Sequence, residues 1–224
     1  MPPLEALGPS IGIGLVLLVM LWFALGTQRN IRKGNAVLAW LQGGLPILGR
    51  RTTVRWLGSS AVELGIVEPA APFREATVVV VLEPRDVGIL WAWARSRGRR
   101  DFIIVRVNLV RPPRFSMDVR DQRGWTGEPD AAAVGTGDPG AEDGRRTRDW
   151  GGGPLAVAGR LTDEAVVESA WRRISAASGG VWRLTVQPVV PHVELHVRPP
   201  LLGRVGAEAL LTPIHDLGHE LAER

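Results

Sequence analysis

The 224-residue chain contains no cysteine and no tyrosine. The first absence excludes disulfides, thiol nucleophiles, cysteine-ligated zinc and thiolate-held iron–sulfur clusters. The second removes any phenolic acid or base. Lysine is nearly missing as well: Lys33 stands alone among 27 basic side chains, a bias that reads as codon usage rather than function. The most informative absence is local. From Ala6 to Gln28, 23 residues run without a charged side chain. As a helix this run is ~35 Å long at ~1.5 Å per residue, enough to cross a hydrocarbon core of ~30 Å.

The run, centred on Ile11–Leu25, is expected to be a retained transmembrane anchor occupying residues 1–28. A cleaved signal peptide would begin with basic residues, whereas the first ten residues carry Glu5 and no Lys or Arg. Ala24-Leu25-Gly26 does offer a small-x-small cleavage pattern. A helix buried in a protein core would carry a polar stripe, and here Ser10 is alone. Arg29, Arg32 and Lys33 follow the run at once. Positive flanks stay on the cytoplasmic side, so the expected protein is a single-pass cell-membrane protein, N-terminus outside and C-terminal domain in the cytoplasm. Trp22 falls toward the inner interface, where indoles are favoured.

Charge is uneven. The net charge is +4 overall, with +5 in residues 1–60, +3 in 61–120, and −2 in each of 121–160 and 161–224. The basic excess therefore lies beside the anchor. There it would be drawn to anionic lipid head groups, and nucleic acid is a poor partner for it.

After the anchor, residues 29–51 form a basic juxtamembrane segment. Asn30 is expected to cap a separate helix to about Gln42, lying on the bilayer or opening the folded domain. Residues 52–120 hold a hairpin (Thr52–Leu57 and Ala61–Val67) and then a strand–helix–strand–strand unit. TVVVVL at 77–82 is apolar on both faces and suits a central strand. Asp86 is the expected cap of the helix after it, and Gly98 its C-terminal stop. Residues 121–154, rich in Gly, Asp, Ala, Arg and Pro, lack periodicity and read as a flexible insertion bracketed by Trp125 and Trp150. Residues 155–224 hold a second strand–helix–strand–strand unit, its helix capped by Thr162, and a last helix from about Ala207 that Pro213 restarts.

Residues 77–120 and 155–198 align at an offset of 78 or 79. Leu82 falls on Leu161, Ala92-Trp93 on Ala170-Trp171, and Pro113 on Pro191. Such self-similarity is the mark of a duplication. The expected fold is α+β: one N-terminal transmembrane helix, then a mixed-sheet domain with two βαββ repeats.

Two constellations stand out chemically. His192, Glu194 and His196 alternate along one strand, and His215 and His219 lie four apart on the last helix. Imidazole and carboxylate at these spacings suit zinc, manganese or iron, while solvated faces explain the same pattern without a metal. Arg95, Arg97, Arg99 and Arg100 cluster beside Trp91 and Trp93. With Arg29, Arg32 and Lys33 they form a candidate surface for anionic lipid. No phosphate loop, nucleophile elbow, dinucleotide fingerprint or zinc-protease motif occurs. No cofactor is required by the sequence. The leading expectation is a membrane-tethered binding or scaffold module with a protein partner or a second copy of itself. The alternatives are a metal-dependent enzyme using the His/Glu cluster and a module responsive to anionic lipid.

Overall fold

The computed structural model describes residues 4–123 and 146–223. The first helix, α1 (Leu4–Gln42), is 39 residues long, and its apolar part is long and apolar enough to cross a membrane. From Ile11 to Leu25 its side chains are exposed on every side. The pattern then changes. Gly26, Asn30, Gly34, Val37 and Leu41 are buried. Steps of four and three place them on one helix face. The expected separate helix beginning at Asn30 is thus corrected: α1 passes through Asn30 unbroken. No proline lies between Gly26 and Gln42, so the backbone ladder has nothing to stop it. Of the two expected roles for this segment, the structure has it open the folded domain, as the docked end of the same helix with Val37 and Leu41 in the core. Gly43 and Gly44 end α1, and one turn, α2 (Leu45–Leu48), follows.

The strands are β1 (Thr52–Trp56), β2 (Ala61–Ile66), β3 (Phe73–Val81), β4 (Phe102–Leu109), β5 (Met117–Asp121), β6 (Arg146–Asp149), β7 (Pro154–Gly159), β8 (Val181–Val186) and β9 (Val193–Val197). They form one sheet in the order β1-β2-β3-β4-β9-β8-β5-β7-β6. Every neighbouring pair is antiparallel, so the expected mixed sheet is corrected to an antiparallel one. Alternate residues on one face join the helices in a single core. Val62, Leu64, Val78, Val80, Val105, Leu184 and Leu195 meet Val37, Leu41 and Leu48 there. The same core takes in Val167, Trp171 and Ile174 of α4 (Glu164–Ala177) and Leu210, Ile214 and Leu217 of α5 (Ala207–Glu223). The opposite face is largely polar.

The two aligned segments share their element order but not their pairing. β3 pairs with β4, so α3 (Gly88–Ser96) joins two antiparallel neighbours and hangs from the end of the sheet. β7 pairs with β5, which lies between it and β8. β7 and β8 are therefore parallel, and α4 is the crossover between them, with Trp171 and Ile174 in the core.

Local expectations differ from the structure in physical detail. Asp86 does not cap α3; the N-cap is Val87, and Asp86 accepts a hydrogen bond from Ser59 Oγ at 2.6 Å, tying the β1–β2 turn to this loop. Thr162 does not cap α4, because a 3₁₀ turn over Leu161–Asp163 feeds straight into it. Pro213 lies inside an unbroken α5. Gly98 follows α3 with φ +84°, as expected of a helix stop. Part of the expected flexible insertion is ordered: β6 pairs with β7, and Trp150, 4% exposed, meets Trp171 edge-on at 6.1 Å. Backbone pairing and one indole hold it, neither of which leaves a periodic signal. Trp125 and the middle of that insertion lie outside the described residues.

Candidate functional site

The densest polar arrangement sits where α1 meets the loop between β3 and α3. Asn30, fully buried, donates from Nδ2 to the Glu83 carbonyl at 3.1 Å and accepts at Oδ1 from Arg85 Nη1 at 3.1 Å. Arg85 grips Asp101 with both terminal nitrogens, each at 3.0 Å. The Glu83 backbone N–H donates to Asp101 Oδ1 at 2.7 Å, and the Lys33 ammonium pairs with Oδ2. The Glu83 carboxylate accepts from Trp91 Nε1 at 2.7 Å and from Arg95 at 3.2 Å, and lies 3.4 Å from Arg85 Nη2. Trp22 of α1 donates to the Arg85 carbonyl at 3.1 Å, and its ring lies 6.4 Å from that of Trp91. Two carboxylates are thus buried, Glu83 at 3% and Asp101 at 6% exposed, between cations drawn from α1, the loop and α3. Burial alone would raise the Asp101 carboxyl. The hydrogen bonds from Arg85, Lys33 and the Glu83 N–H outweigh it and hold the group below its ordinary value.

Close packing reinforces the joint. A Cβ on Gly26 would collide with the Arg85 carbonyl, and one on Gly34 would lie 2.5 Å from the Trp56 ring. Both glycines are there because the loop and the hairpin approach the α1 backbone directly.

The second arrangement lies on the open polar face. Arg106 Nε donates to Glu194 Oε2 at 2.7 Å, and His196 Nε2 lies 2.8 Å from Oε1. The His196 hydrogen bond, aided by Arg106, brings the Glu194 carboxyl down to about 2 against the opposing pull of burial. Arg106 and Glu194 border an open depression of about 390 Å³ that also includes Glu75 and Asn108. Farther along the face, Asp118 accepts from Arg183 at 2.8 Å, Thr185 at 2.7 Å and Arg120 at 2.5 Å.

The histidines read from the sequence separate in space by partner. His192 is buried, and its Nδ1 accepts the Leu109 N–H at 2.9 Å. Burial pushes its ring below the ordinary imidazole value. It serves the end of β4 rather than joining Glu194 and His196. His215 and His219 stack edge-on at 4.6 Å, and His215 Nε2 is 2.9 Å from the Ala71 carbonyl. Among the described residues, no three His, Asp or Glu side chains converge as a ligand set. The basic cluster is likewise divided. Lys33 and Arg95 are spent on Asp101 and Glu83, Arg97 lies over the Trp93 ring at 4.9 Å, and Arg100 donates to the Arg95 and Arg99 carbonyls. Arg29 and Arg32 remain exposed.

Sequence reasoning missed Asn30, Glu83, Arg85 and Asp101 as a unit. The one available signal was Glu83 and Arg85 placed directly after the apolar run at 78–82. The arrangement defines a protein class by architecture: an α+β domain fastened to a long apolar N-terminal helix. The chain matches no protein-family model and no curated protein.

Proposed function

We propose that this is a single-pass membrane protein whose cytoplasmic α+β domain works as a binding or scaffold module, held in a fixed pose at the bilayer by its own anchor. One observation carries the reading. α1 runs without a break from a segment exposed on all sides into a buried stripe, and a network of buried charges clamps it there. A flexible linker would let a tethered domain sample many orientations. A continuous helix gives the domain one orientation, which suits presenting a surface to a partner in the same membrane.

The test has two stages. The full chain is expected to stay in the membrane pellet after alkaline carbonate washing. After mild detergent extraction it is expected to co-purify with a stoichiometric protein or with further copies of itself. Recovery as a monomer without a partner would overturn the scaffold reading. The rival metal reading is tested by elemental analysis of the same preparation: near-stoichiometric zinc, manganese or iron would make the His/Glu cluster the leading site.

A further inference from the structure

α3 is placed unlike any other helix of the domain. It joins antiparallel neighbours, so it lies off the end of the sheet rather than on a face. That end is where α1 emerges. The loop into α3 touches α1 at Gly26, and Gly88 and Trp91 lie against Trp22. α3 is therefore fixed beside the last turns of the uncharged run. Its inner side is spent on the domain: Ala94 is buried and Trp91 bonds Glu83. Its outer side is apolar and uncovered, with Ile89 88%, Trp93 55% and Leu90 43% exposed. Arg97 lies over Trp93, and Arg29 and Arg32 are exposed on the turn of α1 that follows. Indoles, aliphatic side chains and arginines at one level are what the boundary between acyl chains and phosphates favours.

We propose that α3 lies in the lipid interface of the membrane that α1 crosses, with Ile89, Leu90 and Trp93 inserted and Arg97, Arg29 and Arg32 against the phosphates of an anionic leaflet. The occupant of this face is the bilayer because the face continues the surface of α1 at a level that Trp22 fixes. The inference rests on reading α1 as a membrane span, and the test separates the two.

The chain lacks cysteine, so single sites can be spin-labelled cleanly in the full-length protein in lipid nanodiscs. Three are chosen at exposed positions that tolerate change: Met20→Cys in α1, Ile89→Cys in α3, and Val189→Cys in the β8–β9 turn at the far end of the sheet. Collision with oxygen is compared with collision with a water-soluble nickel chelate. The expected result is a ratio at Ile89 several-fold above that at Val189 and below that at Met20, shifting toward water in discs of neutral lipid. A lipid-like Met20 with a water-like Ile89 would overturn the proposal and leave the span intact. Water-like values at both would overturn the span itself. An Ile89 label shielded from both reagents would mean that protein covers α3, which also overturns the proposal. An unchanged Ile89 ratio in neutral discs would overturn the role given to the arginines.

Discussion

A buried carboxylate survives only with partners, and Asp101 has three: the Arg85 fork, the Lys33 ammonium and the Glu83 N–H. Removing its charge leaves one amide oxygen to accept from Arg85, whose remaining counter-charge is Glu83 at 3.4 Å, and takes the carboxylate partner from Lys33. Breaking a buried pair costs more than the pair contributes, since the remaining charge cannot recover its water. Asp101→Asn is expected to destabilise the domain by about 2–4 kcal/mol, read as a lower denaturant midpoint of the detergent-solubilised protein. Glu194 offers a contrasting case on the open face. Its folded pKa of about 2 lies below the ordinary 4.5. A group depressed in the folded state stabilises it above the ordinary value, and that stabilisation fades as pH falls through the folded one. Glu194→Gln should therefore cost about 1–2 kcal/mol at neutral pH. The gap to the unmodified protein should close between about pH 4.5 and 2. A gap that stays constant across that range would show that Glu194 acts through shape rather than charge.

At the scale of elements, α1 is two helices in one. From Ile11 to Leu25 it is exposed all round, and from Gly26 on it carries the stripe of Gly26, Asn30, Gly34, Val37 and Leu41. The junction depends on backbone approach at Gly26, where a Cβ meets the Arg85 carbonyl, while Gly14 has open space around it. Gly26→Leu is expected to cost about 1–3 kcal/mol by overpacking and to make α1 cleavable by protease between Gly26 and Gly43. Gly14→Leu should do neither. The sequence made the apolar half and most strands legible, because both carry periodic signals: β2 and β9 alternate in the structure as they alternate in the chain, and so does β4 from Ile103 on. In β8 a register shift after Val181 puts Val181 in the core and Trp182 against Phe102. It did not make the junction legible. Asn30 before a helical pattern has the composition of a cap, and only the position of the β3–α3 loop turns it into a buried linchpin. The same holds for Asp86, which bonds a hydroxyl 27 residues away instead of its own helix. His192 likewise belongs by spacing with Glu194 and His196, yet a long-range bond to the Leu109 N–H decides its place.

At the scale of the whole molecule, the antiparallel sheet sends α3 and α4 to different places although their sequences align. α4 crosses over a face because a strand separates β7 from β8. α3 is left at the end because β3 and β4 are neighbours, and it closes the junction with α1. Matched strand and helix signals thus do not carry the pairing, which is set by contacts distant in sequence. The result is a domain with one end at the apolar helix and the other end, marked by Val110, Val189 and Val190, turned away. On the proposed reading of α1 as a membrane span, charge sets which side of the membrane that far end occupies. Arg29, Arg32 and Lys33 follow the uncharged run, and Glu5 precedes it. Positive flanks are retained on the cytoplasmic side. The cysteine-free background again allows a direct measurement. A thiol introduced as Val189→Cys should react with a membrane-impermeant maleimide in inverted vesicles and stay unreactive in right-side-out vesicles until detergent is added. Reaction in right-side-out vesicles would place the domain outside. The arginines beside the junction would then face the outer leaflet, and the cytoplasmic scaffold reading would fall with the orientation.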